Sequence, residues 1–442
     1  MTVPNRPLNP NFPHFKKSAL LPPLYHIHSL LSISVAAVDN SAALCYNRAV
    51  TLGGHRKERI MSLSEFYLQY SDIRVRIAPF RMKTDFETVK TVAIIDELIN
   101  RADTVHAGAD PSGRFGALAG HNIENYMTRA EAYTAALERG EYPLKGKFCE
   151  PGMSLIDHSF VEKDGKLHVF YNRGYVGFEW DTRFVDTIGH AVTEDLVNWR
   201  IEPPCLSAAR GGPDDYQTWS PGIAEKDGVY YMYYTGVNIH VAQSICLATS
   251  TDLYHWDKYE NNPVVLPGGW TDWSADRWSD CRDSMVFVDD DGTAYMYYCT
   301  SLRLENGGYR TALGVASSTD MYRWKDEGAY AFDICDVTLE SPFVMKRGGK
   351  YYLFYTNCNH GTAYAVSDNP VTGWRSLGML IEKQGDPPAC PANVPSCAEV
   401  FCYGGKWYIS CAQREPGCEQ YLEIFELFWN GDGTVTLGKR VE

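Results

Sequence analysis

The chain has 442 residues, 13% of them aromatic, with 29 tyrosines and 11 tryptophans, a content that suits β-structure and sugar-binding surfaces alike. A formal net charge of −14 argues against a nucleic-acid binder, which needs basic patches to neutralise phosphates. No apolar run approaches the roughly 20 residues of a membrane-spanning helix.

The first sixty residues stand apart. "KKSALLPPLYHIHSLLSISVAA" (16–37) has the basic start and apolar body of a secretory signal, but Pro22, Pro23, His26 and His28 interrupt it and it sits late in the chain. "RKERIM" (56–61) can be encoded almost entirely by purine codons, as a translated ribosome-binding site would be, which makes Met61 the natural start. Residues 1–60 are therefore expected to be poorly ordered and without function, and the protein cytoplasmic, or secreted if 1–60 act as a signal. From Met61 to about 148 the pattern is helical. "FETVKTVAIIDELINRAD" (86–103) sets Val89, Val92, Ile95, Leu98 and Ile99 on one face. A second helix is predicted over 122–141.

Beyond residue 149 the period changes to that of strands. Five segments align: "DHSFVEKDGKLHVFYNRG" (157–174), "SPGIAEKDGVYYMYYTGV" (220–237), "RDSMVFVDDDGTAYMYYCT" (282–300), "ESPFVMKRGGKYYLFYTNC" (340–358) and "AEVFCYGGKWYISCAQ" (398–413). Each is a strand, a Gly-containing turn and an aromatic strand, the signal of a β-hairpin. Four continue into a third strand that ends in Ser/Thr-Asp, a turn and a Trp, as in "CLATSTDLYHWDK" (246–258). The recurring aspartates Asp195, Asp252, Asp320 and Asp368 are expected to cap turns, and Trp199, Trp256, Trp324 and Trp374 to pack between repeats. Five copies at a period of about 60 residues predict an all-β fold, a five-bladed β-propeller over 149–442 behind a small helical extension over 61–148.

In a propeller the first strand of each blade lies nearest the axis, so its first residues converge on one pocket: Asp157, Ser220, Asp283, Glu340 and Glu399. Converging carboxylates repel and desolvate one another, which splits their pKa values. Paired acids of unlike pKa are what hydrolysis of a glycosidic bond requires. Each acid alone could cap a turn or pair with a neighbour, as Asp283 with Arg282; three at one repeat position are harder to explain so. The thirteen cysteines lack metal-site spacing and fit small buried hydrophobes in a reducing compartment; Cys281, beside Arg282 and Asp283, is the one expected near chemistry.

Over about 150–435 these motifs resemble the five-bladed furanosidase clan, glycoside hydrolase families 32, 43, 68 and their relatives. "IGHAVTEDLVNW" and "QSICLATSTDLYHWDKYENNPVV" resemble the first two blades of family 32, "RDS" (282–284) is similar to its Arg-Asp-Pro, and "ESPFVMKRGGKYYLFYT" is more like family 43. The resemblance implies Asp157 as nucleophile or general base, Asp283 as transition-state stabiliser and Glu340 as general acid. It implies Arg282, Trp219, Ser220, Asn172 and Trp180 at the substrate, with Glu399 as a further candidate. The frames differ: "IDHSF" stands where family 32 has Asn-Asp-Pro-Asn-Gly, and Ser follows both Asp283 and Glu340. The implied activity is exo-acting removal of a terminal furanose, fructosyl or arabinosyl, from oligosaccharides or glycosides, with insertions at 175–188 and 266–281 walling the pocket and the tryptophans of "GGWTDWSADRWSD" (268–280) either stacking on sugar or filling the loop's core. The alternatives are a pyranoside-acting relative such as family 117, a phosphorylase, which would need more bases near Glu340 than Arg282 and Arg310, or a non-catalytic carbohydrate-binding propeller. No cofactor and no catalytic metal are expected. A structural calcium ion in the central channel, near His360, is left open by the resemblance, as is a homodimer through the helical extension.

Overall fold

The computed structural model describes residues 63–107, 116–150, 153–175, 184–331, 333–335, 338–358, 360–382, 394–414 and 420–442. The expectations for residues 1–60 and for Trp180 lie outside the described residues, as does most of the 175–188 insertion.

Three helices precede the strands: α1 (Leu63–Ile77), α2 (Phe86–Ala107) and α3 (Gly116–Glu138). Asp85 starts α2 by accepting the Thr88 N–H at 2.9 Å, satisfying a donor the helix itself leaves open. The buried face of α2 is Val92, Ile94, Ile95, Leu98, Ile99 and Ala102, packed on Phe66 and Ile73 of α1 and on Tyr126, Ala130 and Leu137 of α3. Val89, predicted on that face, is 48% exposed. Its neighbours Thr88, Lys90 and Thr91 are buried, Thr88 and Lys90 against the 142–147 segment, and Val89 lies on the other side of the helix, with exposed Asn100. The predicted 122–141 helix begins earlier and ends earlier. Gly140 adopts φ +74, the Gly140 N–H bonds Leu137 O and the Glu141 N–H bonds Ala136 O, a pattern that closes the helix end on a residue without Cβ. No described helix is long and apolar enough to cross a membrane.

Five four-stranded antiparallel meanders follow, one per predicted repeat. Their strands are His158–Lys163, Lys166–Tyr175, Phe184–Thr193 and Trp199–Ser207 in blade 1, with Met153–Ser154 added at the end of its second strand; and Gln217–Lys226, Val229–Val237, Gln243–Ser250 and Asp257–Lys258 in blade 2. Blade 3 holds Cys281–Val288, Ala294–Arg303, Tyr309–Ser318 and Lys325–Tyr330. Blade 4 holds Leu339–Arg347, Lys350–Asn357, Gly361–Ser367 and Arg375–Glu382. Blade 5 holds Ser396–Tyr403, Lys406–Arg414, Gln420–Trp429 and Val435–Arg440. The repeated tryptophans pack between blades as the sequence predicts: Trp256 stands edge-on to Phe170 of blade 1 at 5.5 Å, and Trp324 to Tyr233 of blade 2 at 5.4 Å. Asp195, Asp252 and Asp320 cap their turns, each taking two backbone N–H groups on one oxygen. Asp368 does not. In blade 4 the cap is Asn369, which accepts from Val371 and Thr372, while Asp368 pairs with Lys350 at the surface.

Blades 1 and 5 are each built from contiguous chain, so no exchanged strand closes the ring. Side chains do it. Phe160 stacks on Phe401 at 4.5 Å, and His158 Nε2 lies 2.7 Å from Ser410 Oγ. Both oxygens of Glu399 accept the Phe160 N–H at 3.1 Å, with Ser159 Oγ donating at 3.3 Å. Upstream, Phe148 and Leu422 exchange backbone hydrogen bonds at 3.0 and 2.8 Å, stitching the chain that leaves the helices to blade 5.

Burial pushes the Glu399 carboxyl up to about 8, against the pull of the Phe160 N–H and Ser159. Its folded value is raised above its unfolded one, so the native state holds the extra proton, and this contribution to stability is lost as pH rises from about 4.5 to about 8. Glu399→Gln keeps an acceptor for Phe160 and removes the charge. We expect Tm to fall less between pH 5 and pH 8 in the variant than in the wild type, by scanning calorimetry; parallel pH profiles would refute this.

Candidate active site

The first strands of blades 2 to 5 share a defect. Each ladder skips a register step, between Trp219 and Gly222, Arg282 and Met285, Glu340 and Phe343, and Ser396 and Glu399. At each skip one non-glycine residue takes a left-handed backbone: Ser220 (φ 47), Asp283 (φ 56), Ser341 (φ 48) and Cys397 (φ 56). Such a conformation costs about 1–3 kcal/mol, and a bulge of this kind re-aims the side chain it carries. The backbone N–H turned out by the bulge is caught by a neighbouring blade. Ser220 N donates to Asn172 Oδ1 at 2.5 Å, Asp283 N to Thr235 Oγ1 at 3.1 Å, Ser341 N to Asp283 Oδ2 at 3.2 Å and Cys397 N to Thr356 Oγ1 at 2.9 Å.

The ring at the mouth of the central channel is therefore Asp157, Ser220, Asp283, Ser341 and Cys397, which with their neighbours line a cavity of about 60 Å³. This corrects the alignment read from sequence. Glu340 is not the counterpart of Asp157 and Asp283; it stands one residue earlier, level with Arg282 and Trp219. Glu399 stands two residues beyond the bulge residue of its blade, and its carboxylate lies in the seam between blades 1 and 5. The Ser-Pro repeated at 220–221 and 341–342 marks the register in sequence.

Within the ring every polar group has a partner. Asp157 accepts Asn172 Nδ2 at 2.9 Å on one oxygen and Ser341 Oγ at 3.0 Å on the other. Asp283 accepts Ser220 Oγ at 2.7 Å and the Ser341 N–H. Ser341 thus links the two aspartates. Asn172 and Ser220, expected at the substrate, have their polar atoms engaged in holding this ring. Asp283 is buried, and that burial, then the charge of Asp157, push its carboxyl up to about 7 against the opposing Arg282 and Ser220.

Glu340 comes to the mouth from the adjacent position. Its Oε1 accepts Arg282 Nη2 at 2.8 Å and its Oε2 the Cys358 thiol at 3.1 Å, while the side chain stays 34% exposed. Arg282 also donates to Asp280 Oδ1 at 2.5 Å and lies 3.6 Å from Asp283. Trp219, half-buried, donates its indole N–H to Gln217. Ser341, Cys358 and Asp280 were not singled out in sequence, although Ser341 follows Glu340 directly and Asp280 lies two residues before Arg282. Cys281, the thiol expected near chemistry, is fully buried beneath the strand with its sulfur toward Val265 O. All ten described cysteines are free thiols.

Below the two aspartates the channel is lined by His158, Ser159, Ser284 and Glu399 as well as Gly222, Ile223, Met285, Phe343 and Ala398; His158 is engaged with Ser410 and Glu399 with Phe160. Among the described residues no three His, Cys, Asp or Glu side chains gather as a metal site, and His360 is exposed.

The arrangement holds three carboxylates from three blades in three environments, with Asp283 and Glu340 beside one guanidinium and Asp157 between two neutral donors. The chain is similar to known proteins. The profile of the glycosyl hydrolases family 32 N-terminal domain matches residues 157–341. A β-xylosidase from Xylanibacter ruminicola is 26% identical over 66% of the chain and 99% of its own length. A probable sucrose-6-phosphate hydrolase from Psychromonas ingrahamii is 31% identical over 36% of the chain, which spans 28% of that enzyme. Among solved structures, an α-L-arabinofuranosidase from Clostridium thermocellum superposes with a TM-score of 0.51 at 24% identity, covering 65% of this chain and 94% of that one. The chain belongs to the clan of five-bladed β-propeller glycoside hydrolases and is a glycosidase.

Proposed function

We propose that the enzyme is exo-acting and removes a terminal furanose, fructosyl or arabinosyl, from oligosaccharides or glycosides. Glu340 protonates the leaving oxygen, Asp157 is the nucleophile or general base, and Asp283 stabilises the positive charge that develops on the sugar ring. The observation that carries the reading is the unequal setting of the three acids. Glu340 alone combines exposure with a place on the rim, where a leaving group departs. Asp283 is buried among its partners, which suits a group that stabilises charge without forming a bond. Asp157 is partly exposed and fixed on both oxygens by Asn172 and Ser341, ready oriented for attack or for activating water. The family 32 match over 157–341 supports a furanose in the pocket.

A second reading, a pyranoside-acting enzyme, is favoured by one observation: the relative matched along 99% of its length is named a β-xylosidase.

The deciding experiment is hydrolysis of aryl arabinofuranosides, aryl xylosides, sucrose and short fructans by the wild type and Glu340→Gln, with NMR of the first-formed anomer. Activity on one furanoside, lowered about 10²–10⁴-fold in the variant, is expected. Activity on xylosides alone would replace the furanose reading with the second, and activity that survives Glu340→Gln would remove Glu340 as the acid.

Cys358 provides a finer test of the same assignment. Burial, then the nearby Glu340 charge, push its thiol well above the ordinary range, so it remains a protonated donor to the Glu340 carboxylate. In Cys358→Ala, Glu340 loses one of its two bonded partners, so kcat/KM should fall about fivefold, the worth of one hydrogen bond of about 1 kcal/mol, and Cys358→Ser should restore it. An unchanged kcat/KM would count against Glu340 as the acid or against the thiol as its partner.

A further inference from the structure

The loop that leads into blade 3, "GGWTDWSADRWSD" (268–280), carries three tryptophans, and the structure gives them different settings. Trp270 donates its indole N–H to Asp326 Oδ2 at 2.9 Å, and Trp273 donates to the Gln243 carbonyl at 2.7 Å while packing on the core between blades 2 and 3. These two anchor the loop. Trp278 is 58% exposed. Its indole N–H donates to Asp280 Oδ1 at 3.1 Å, the same oxygen that accepts Arg282 Nη1, and Arg282 in turn holds Glu340. Ser301 Oγ holds the other Asp280 oxygen. The exposed ring is therefore pinned by its polar edge to the network that positions the rim carboxylate.

A general acid must stand beside the leaving-group oxygen, so the sugar attached to that oxygen lies on the Glu340 side of the pocket. Trp278 is an exposed aromatic bonded into that side. An indole face is apolar and stacks on the apolar face of a pyranose or furanose ring, while a fixed edge removes the entropy of ordering it. We propose that Trp278 is the leaving-group platform, which takes the sugar on the far side of the scissile bond, with Asp280 setting the angle of the ring. The proposal rests on Glu340 as the general acid.

The test compares glycosides that share a terminal sugar and differ in what is attached to it: methyl α-L-arabinofuranoside with α-1,5-arabinotriose, methyl β-D-fructofuranoside with 1-kestose, and methyl β-D-xyloside with xylotriose. For the pair that the wild type hydrolyses, Trp278→Ala should lower kcat/KM on the trisaccharide about tenfold and leave the methyl glycoside within about twofold, a span smaller than one weak contact is worth. Trp278→Phe should recover most of the loss. An equal loss on both substrates, or no loss on the trisaccharide, would overturn the platform. If the wild type hydrolyses none of the six, the proposed function fails separately. The platform is then read from tryptophan emission during titration with the three trisaccharides: a shift in the wild type that Trp278→Ala abolishes supports it, and no shift with any of them overturns it.

Discussion

One backbone constraint organises this protein: in blades 2 to 5 the first strand breaks its ladder and turns a non-glycine residue into the left-handed region. A regular strand would point every second side chain along the blade's own faces, and none at the axis from the position required. The bulge aims Ser220, Asp283, Ser341 and Cys397 inward together. Its cost is met where it arises, because the N–H that the bulge exposes bonds to the neighbouring blade in every case. The strain and the interblade contacts are thus one device, and the pocket forms only when the ring of blades is closed.

Closure brings like charges together, and Arg282 makes that tolerable. Its guanidinium is ionised at any working pH and touches Asp280 and Glu340, with Asp283 at 3.6 Å. Asp157 lies outside its reach and is held by neutral donors, Asn172 and Ser341. The acids therefore differ by construction: one bonded to a cation and a thiol on the rim, one buried and raised, one partly exposed between two neutral donors. Removing one partner of so buried a cluster would leave other charges unmatched, which ties the chemistry of the site to the stability of the ring.

Much of this was legible in the sequence. The turn residues and the two-residue alternation mark all five hairpins, and the Ser/Thr-Asp turns and tryptophans fix the blades. Asp157, Asp283 and Glu340, named from the sequence, do meet at the mouth of the channel. Their register was read wrongly in blade 4: "ESP" was aligned on its Glu, although the Ser-Pro it shares with "WSP" of blade 2 sets Ser341 level with Ser220. Glu399 failed for the same reason, and Asp368 because Asn369, one residue on, supplies an equivalent oxygen. Cys358 and Asp280 act through contacts with Glu340 and Arg282 on other strands or at the loop's end, and no local pattern marks such pairs. Val89 shows the lesser limit: spacing by apolar residues alone set it on the buried face, whereas that face runs through Thr88, Lys90 and Thr91 at this turn.

The two levels of the mouth divide the work. The inner ring is bonded to itself on nearly every polar atom, so its members are fixed by the fold and can vary little without loosening the blades. The outer level, where Glu340, Trp219 and the 268–280 loop stand, is more open to solvent, with Glu340 34% exposed. The three acids span both levels: Ser341 joins Asp157 and Asp283 within the ring, and Arg282 and Cys358 hold Glu340 above them. A change in the 268–280 loop therefore reaches Glu340 through Asp280 and Arg282 while leaving the bonds of the ring in place.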